Sequence, residues 1–201
     1  KFLDENRGII AGDRGLILVT DDGGATWRLV KTYLRENLNA LGFFDSRRGF
    51  VVGSAGTILR TDDGGETWSD QEPGLRMNLY GVVVHRREEA VIVGEYGTVL
   101  RTMDGGLTWE VQPNITSNSL QAVAYRGGND LWVAGRGGAI LKRSNSLSTV
   151  QISSPRLPPI LRVGSGRNGP QLKVPLVPII DDDDIPVARP QATPELKKRN
   201  P

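Results

Sequence analysis

The sequence predicts an all-β protein of β-propeller type. It reads as about four 41-residue, four-stranded blades, a partial or intermolecularly completed propeller, followed by an extended proline-rich arm. Three observations predict this. A pattern running from glycine to tryptophan occurs from Gly15 to Trp27 as GLILVTDDGGATW, from Gly56 to Trp68 as GTILRTDDGGETW, and from Gly97 to Trp109 as GTVLRTMDGGLTW. Gly12, Gly53, Gly94 and Gly135 step by 41 residues, as do Gly15, Gly56, Gly97 and Gly138. Equal steps without insertions mark a repeat architecture, and this period suits propeller blades or a solenoid. Ten of the 12 prolines fall in residues 155–201. The expected boundaries are therefore blades over 1–154 and an arm over 155–201.

In chain order, each full unit opens on a strand: Leu38 to Phe43, Leu79 to Val84, and Leu120 to Tyr125. Ala40, Gly81 and Ala122 keep one position small, as inner strands crowding toward a propeller axis require. The next strand, Gly49 to Gly53 and its counterparts Ala90 to Gly94 and Leu131 to Gly135, is apolar on both faces, as suits a sheet sandwiched between sheets. A G-x-x-G turn follows, then a third strand such as Thr57 to Thr61, rich in β-formers. Asp63, Gly64 and Gly65 then make a tight hairpin turn, and Thr67 and Trp68 restart the chain as the outer strand. The first unit starts at Gly8 with no evident inner strand. The fourth loses the aspartate, glycines and tryptophan between Arg143 and Val150, as a terminal repeat tolerates.

The turn resembles the Asp-box of the BNR repeat, S/T-x-D-x-G-x-T-W. Asp22 and Trp27, Asp63 and Trp68, and Asp104 and Trp109 occupy its fixed positions. A fold residue recurs in every blade while a catalytic residue is needed once, so these side chains are read as structural.

The arm carries short apolar pieces between prolines and the acidic run from Asp181 to Asp184. That composition suits an extended segment lying in a groove or along a sheet edge. The acidic run lacks the alternation and central glycine of a calcium loop and reads as solvated charge. A net charge of +2 gives no argument for nucleic acid. No cysteine is present, which excludes disulfides, thiolate metal sites and cysteine nucleophiles. No apolar run has the length of a membrane span. The sequence begins at a lysine, so a processed or trimmed chain is expected, with any export signal removed.

The unit V-G-x-x-G-T-I-L-R-T-x-D-G-G-x-T-W, strongest over 49–68 and 90–109, resembles that of the photosystem II assembly and stability factors of the Ycf48 group. The likeness covers about residues 8–154. It implies a seven-bladed propeller without enzymatic activity or cofactor, exported to the thylakoid lumen or periplasm. It also implies a protein partner, a membrane-protein assembly intermediate held through basic residues. Arg60, Arg101 and Lys142 sit at equivalent repeat positions and are the candidate basic stripe; Val19 breaks it in the first unit. The variable G-x-x-G turns add Arg14, Tyr96 and Arg136 as candidate partner-binding residues. Seven units of 41 would need 287 residues, so completion of the ring by another chain, closure by four blades, or a trimmed or divergent piece are all expectations here.

Sialidases share the Asp-box, so a glycan-binding or sialidase-like propeller is the alternative. Glu95 beside Tyr96, with Arg14 and Arg136 in comparable turns, is its only support, and the arginine motif expected near the start is missing. A third reading is an accessory subunit of a bacterial envelope or exporter complex. His85, the sole histidine, has no motif that announces triad or zinc partners.

Overall fold

The computed structural model describes residues 1–152 except 72, 87, 115, 128–129 and 144–148. The arm expected over 155–201 lies outside the described residues. Four antiparallel sheets follow one another along the chain. The first holds β1 (Gly8–Ala11), β2 (Ile17–Thr20) and β3 (Arg28–Val30). The second holds β4 (Leu38–Phe43), β5 (Gly49–Gly53), β6 (Ile58–Thr61) and β7 (Ser69–Gln71). The third holds β8 (Leu79–His85), β9 (Glu89–Gly94), β10 (Val99–Thr102) and β11 (Glu110–Val111). The fourth holds β12 (Leu120–Arg126), β13 (Asp130–Gly135), β14 (Ile140–Arg143) and β15 (Thr149–Ile152). Each sheet is a blade whose strands meander in sequence order, and together they form an open, partial propeller. The fourth unit keeps its outer strand, β15, although its turn sequence has diverged.

The first blade is nearly as expected, with one correction. Phe2 bridges Gly8, the pairing that Phe43 makes with Gly49 one period later. Lys1 and Ile9 exchange backbone hydrogen bonds of 2.8 Å. The residues before Gly8 therefore supply the last step of an inner strand.

Blades pack face to face. Alternation along each strand gives a blade one face toward the next blade and one toward the previous blade. Ile9, Ile17 and Val19 of the first meet Val51 and Leu59 of the second. Phe50, Val52 and Ile58 of the second meet Ile92 and Leu100 of the third. Val91 and Val93 of the third meet Val133 and Leu141 of the fourth. Those residues are between 0% and 6% exposed, which makes these three interfaces the core. At roughly 1.5–3 kcal/mol for each large aliphatic or aromatic side chain fully buried, this packing dominates stability.

The periodic small residues have steric causes. A Cβ on Gly81 would sit 3.3 Å from the Gln121 carbonyl oxygen of the next blade, so the inner strands do crowd at that position. A Cβ on Gly53, Gly94 or Gly135 would fall 2.2, 2.4 or 2.3 Å from the carbonyl oxygen of Asn37, Asn78 or Ser119. The glycine is there to let the linker between blades pass.

Candidate functional site

The Asp-box corners satisfy themselves. In the second blade the Thr61 hydroxyl donates to Asp63 Oδ1 at 2.8 Å and accepts the Gly65 N–H at 2.9 Å. The Thr67 hydroxyl donates to Asp63 Oδ2 at 2.5 Å, and the Thr67 N–H donates to Oδ1 at 2.9 Å. Trp68 Nε1 donates to the Gly65 carbonyl at 3.1 Å. The first and third corners repeat the carboxylate geometry around Asp22 and Asp104. Trp27 repeats the indole bond to Gly24, whereas Trp109 Nε1 has no protein partner and its ring stands edge-on to Phe50 at 5.2 Å. The donors fix the charge: the Thr26 hydroxyl, the Thr26 amide and the Thr20 hydroxyl hold the Asp22 carboxyl down at about 2. Burial pushes Asp63 up, but the Thr67 and Thr61 donors outweigh it and the net direction is down. Carboxylates so occupied are poor acids and poor ligands. The corners also dock on the preceding blade, because Gly65 lies against Ile9 and Gly106 against Phe50.

The six candidate partner-binding residues divide between the two ends of the third strands. Arg14, Tyr96 and Arg136 lie in the turns that lead into those strands and are exposed. Arg14 and Tyr96 adopt positive φ values of 55° and 52°. Arg60, Arg101 and Lys142 lie near the Asp-box end, on β6, β10 and β14, and each is ion-paired within its own blade. Arg60 meets Asp62 at 2.8 Å, Arg101 meets Glu89 at 2.7 Å, and Lys142 meets Asp130 at 3.2 Å.

Two members of the stripe come together. Arg101 and Lys142, with the neighbouring Arg143, line a mainly apolar groove of about 280 Å³ between the third and fourth blades, floored by Val91, Val99, Leu131 and Leu141. The repeat sequence differs at this interface. Val91 is one period after Phe50 and two after Ile9, the residues covered at earlier interfaces by the corner of the following blade. The fourth unit is the one whose sequence lacks that corner. Arg60 belongs to the second blade and does not reach this groove.

Arg101 is held rigidly there. Its Nε and Nη2 donate to Glu89 Oε1 at 3.0 and 2.7 Å, and the Tyr125 hydroxyl donates to the same oxygen at 3.0 Å. His85 stacks on Tyr125 with ring centroids 4.0 Å apart. Burial pushes Glu89 up, but Arg101 and Tyr125 outweigh it, and the carboxyl stays charged. Burial, and then Glu89, raise the Tyr125 hydroxyl. Glu89 and Tyr125 thereby position the Arg101 cation, and neither of these two is poised to trade protons near neutrality.

Reading the sequence missed several residues. Asn37 accepts the Arg14 N–H on its side chain at 3.2 Å and the Ser54 N–H on its carbonyl at 2.8 Å. Asn78, one period later, repeats this with Ala55 at 3.0 Å and Glu95 at 2.9 Å. The recurrence of asparagine at that spacing was the available signal. Arg7 crosses from the first blade to the Gly64 carbonyl at 2.7 Å and Glu66 at 2.7 Å, and also pairs with Asp21. Glu95 does not pair with Tyr96: it accepts from Asn78 and from the Tyr80 hydroxyl at 3.2 Å.

Comparison with known proteins agrees with this architecture. The family model described as photosynthesis system II assembly factor YCF48 matches residues 1–70 and 27–113. A solved structure described as YCF48 bound to D1 peptide superposes with a TM-score of 0.60 at 22% identity, over 73% of this chain and 49% of that one. YCF48 from Cyanidioschyzon merolae gives a TM-score of 0.59 at 24% identity, over 73% and 52%. The GH74 enzyme of Niastella koreensis gives 0.56 at 18% identity, over 76% and 23%, a likeness of fold alone. No curated protein matches the chain at a significant level. The chain spans about half the length of the two YCF48 structures. The repeated corners, the blades they dock and the family match over more than half of the residues together place the chain in the photosynthesis system II assembly factor YCF48 family.

Proposed function

We propose that the protein is a non-catalytic assembly or stability factor outside the cytoplasm, in the thylakoid lumen or periplasm, that holds an extended peptide of a membrane-protein partner. The seat for that peptide is the groove between the third and fourth blades. The observation that carries this reading is the meeting of Arg101, Lys142 and Arg143 over an apolar floor. Such a floor takes an apolar side chain, and the cations at its edge, two of them already paired with Glu89 and Asp130, keep N–H donors for a carboxylate. Family membership supports the assembly role, and the relative described as bound to D1 peptide supports a peptide as ligand class. On sequence grounds the arm over 155–201 adds contact area to the same partner. The glycan reading has only a fold-level likeness to GH74 enzymes behind it.

Fluorescence anisotropy with a labelled apolar peptide ending in a free carboxylate tests the proposal. Lys142→Glu with Arg143→Glu is expected to weaken binding at least tenfold, about 1.4 kcal/mol, and amidation of the peptide's end to cost a similar factor. Equal affinity of wild type and variant for both peptides overturns it.

A further inference from the structure

A cavity of about 730 Å³ opens between the second and third blades, beside the hairpins that join β4 to β5 and β8 to β9. Phe43, Phe44, Asp45, Arg48, Val84 and Arg86 line it. The repeat shows what this space lacks. Phe44, Arg48 and Val84 recur one period later as His85, Glu89 and Tyr125. In that later interface the Tyr125 ring reaches from the fourth blade to the third. It stacks on His85 with ring centroids 4.0 Å apart and 19° between the planes, and its hydroxyl donates to Glu89 at 3.0 Å. Val84 holds the same place in the earlier interface. It faces the second blade, 3.4 Å from where a Cβ on Gly42 would stand. A valine brings no ring to lay on Phe44, so the volume that Tyr125 fills in one interface is open in the other.

The walls differ in charge as well. Where Glu89 accepts a hydroxyl, Arg48 presents donors, its guanidinium carbon 5.8 Å from the centre of the Phe44 ring. Asp45 spends its carboxylate within its own turn, on the Arg47 and Arg48 amides at 2.8 Å and on Arg48 Nε at 3.0 Å. Arg48 Nη2 also lies 3.0 Å from Asp45, which leaves further N–H groups of the guanidinium for a ligand. With Arg86, the lining carries two cations against one anion. We propose that this cavity binds an aromatic ring bearing a carboxylate, with the ring stacked on Phe44 and the carboxylate on Arg48. The ring repeats what Tyr125 does one interface later, and offset stacking of two aromatic faces is the contact it gains. The polar group changes from donor to acceptor because the residue it meets changes from Glu89 to Arg48. A carboxylate suits a guanidinium better than a hydroxyl does, since the bonds are charge-assisted and can form in parallel. Two sources supply this chemistry: a small aromatic acid, and the last residue of a chain that ends in phenylalanine or tyrosine. The inference rests on the likeness of two interfaces inside the chain, and is independent of which peptide the groove between the third and fourth blades takes.

Nuclear magnetic resonance titration of the isotope-labelled full chain tests the site, with benzoate in one arm and a short peptide ending in phenylalanine with a free carboxylate in the other. Saturable shifts at Phe44, Arg48 and Val84 are expected in at least one arm, with a Kd of about 1 mM, the range that so small a ligand reaches. The arm that responds names the source. Cyclohexanecarboxylate, which lacks the flat ring, and benzyl alcohol, which lacks the charge, are each expected to bind about tenfold more weakly than benzoate. Val84→Tyr places in this interface the ring that Tyr125 places in the next, and is expected to abolish binding. Arg48→Gln, at a partly exposed position outside the core, is expected to weaken binding about tenfold with an unchanged circular dichroism spectrum. No saturable shift in either arm, equal affinity for cyclohexanecarboxylate, or undiminished binding by Arg48→Gln or by folded Val84→Tyr overturns the proposal.

Discussion

Asp63 shows how a charged residue becomes part of the frame. Its two oxygens take the hydroxyls of Thr61 and Thr67 and the Thr67 amide, all from its own turn. Removing it strands those donors, so Asp63→Ala is expected to destabilise the protein by about 1–3 kcal/mol, read by urea unfolding. The pH response has a definite sign. Asp22 has a folded value near 2, below its ordinary 3.8. A depressed carboxyl contributes stability that is fully present above the unfolded value and is lost as pH falls through the folded one. Melting temperature is therefore expected to hold above pH of roughly 4 and to fall toward pH 2, with a shallower fall in Asp22→Asn. A second residue-scale case is Ala55, whose φ of 54° lies in the left-handed region, where Gly137 stands in the fourth blade. The backbone there favours glycine by about 1 kcal/mol, and Ala55→Gly is expected to raise stability by up to that amount.

At the scale of the element, a blade is held in two ways. Hydrogen bonds of the meander hold it internally, and the linker clamps it to its neighbours. The linker enters the second blade through Asn37, the third through Asn78 and the fourth through Ser119, and the glycine opposite leaves room for it. Gly53 has φ of −156°, which any residue adopts, so its requirement is space alone. Gly53→Ala places a methyl 2.2 Å from the Asn37 carbonyl oxygen and is expected to cost about 1–3 kcal/mol as overpacking, measured by thermal or urea unfolding. Asn78→Ala breaks bonds from two blades at once and is expected to cost a comparable amount while leaving the strands' far-ultraviolet signal intact.

At the scale of the molecule, the arc is close to one-dimensional: among the described residues each blade packs chiefly on its neighbours, and the interface between the second and third blades is the most completely buried. Hydrogen exchange is expected to be slowest in β5, β6 and β9, whose apolar residues are almost fully buried, and faster in β1 and β13 at the ends. Uniform protection across all four blades would contradict this. The sequence by itself determined the blades. Period, strand pattern and Asp-box are local chemistry repeated at one spacing, and local hydrogen bonds and alternation follow from neighbours in the chain. It also determined which cations share a repeat position. Tertiary structure alone decided what those positions meet. Arg60 and Arg101 are equivalent by spacing, yet of the two it is Arg101 that lines the groove between the third and fourth blades. Glu95 likewise found Tyr80 rather than its neighbour Tyr96, since adjacent residues in a turn point apart while residues across a linker converge. Contacts between blades are set by packing distances that no local window of sequence contains.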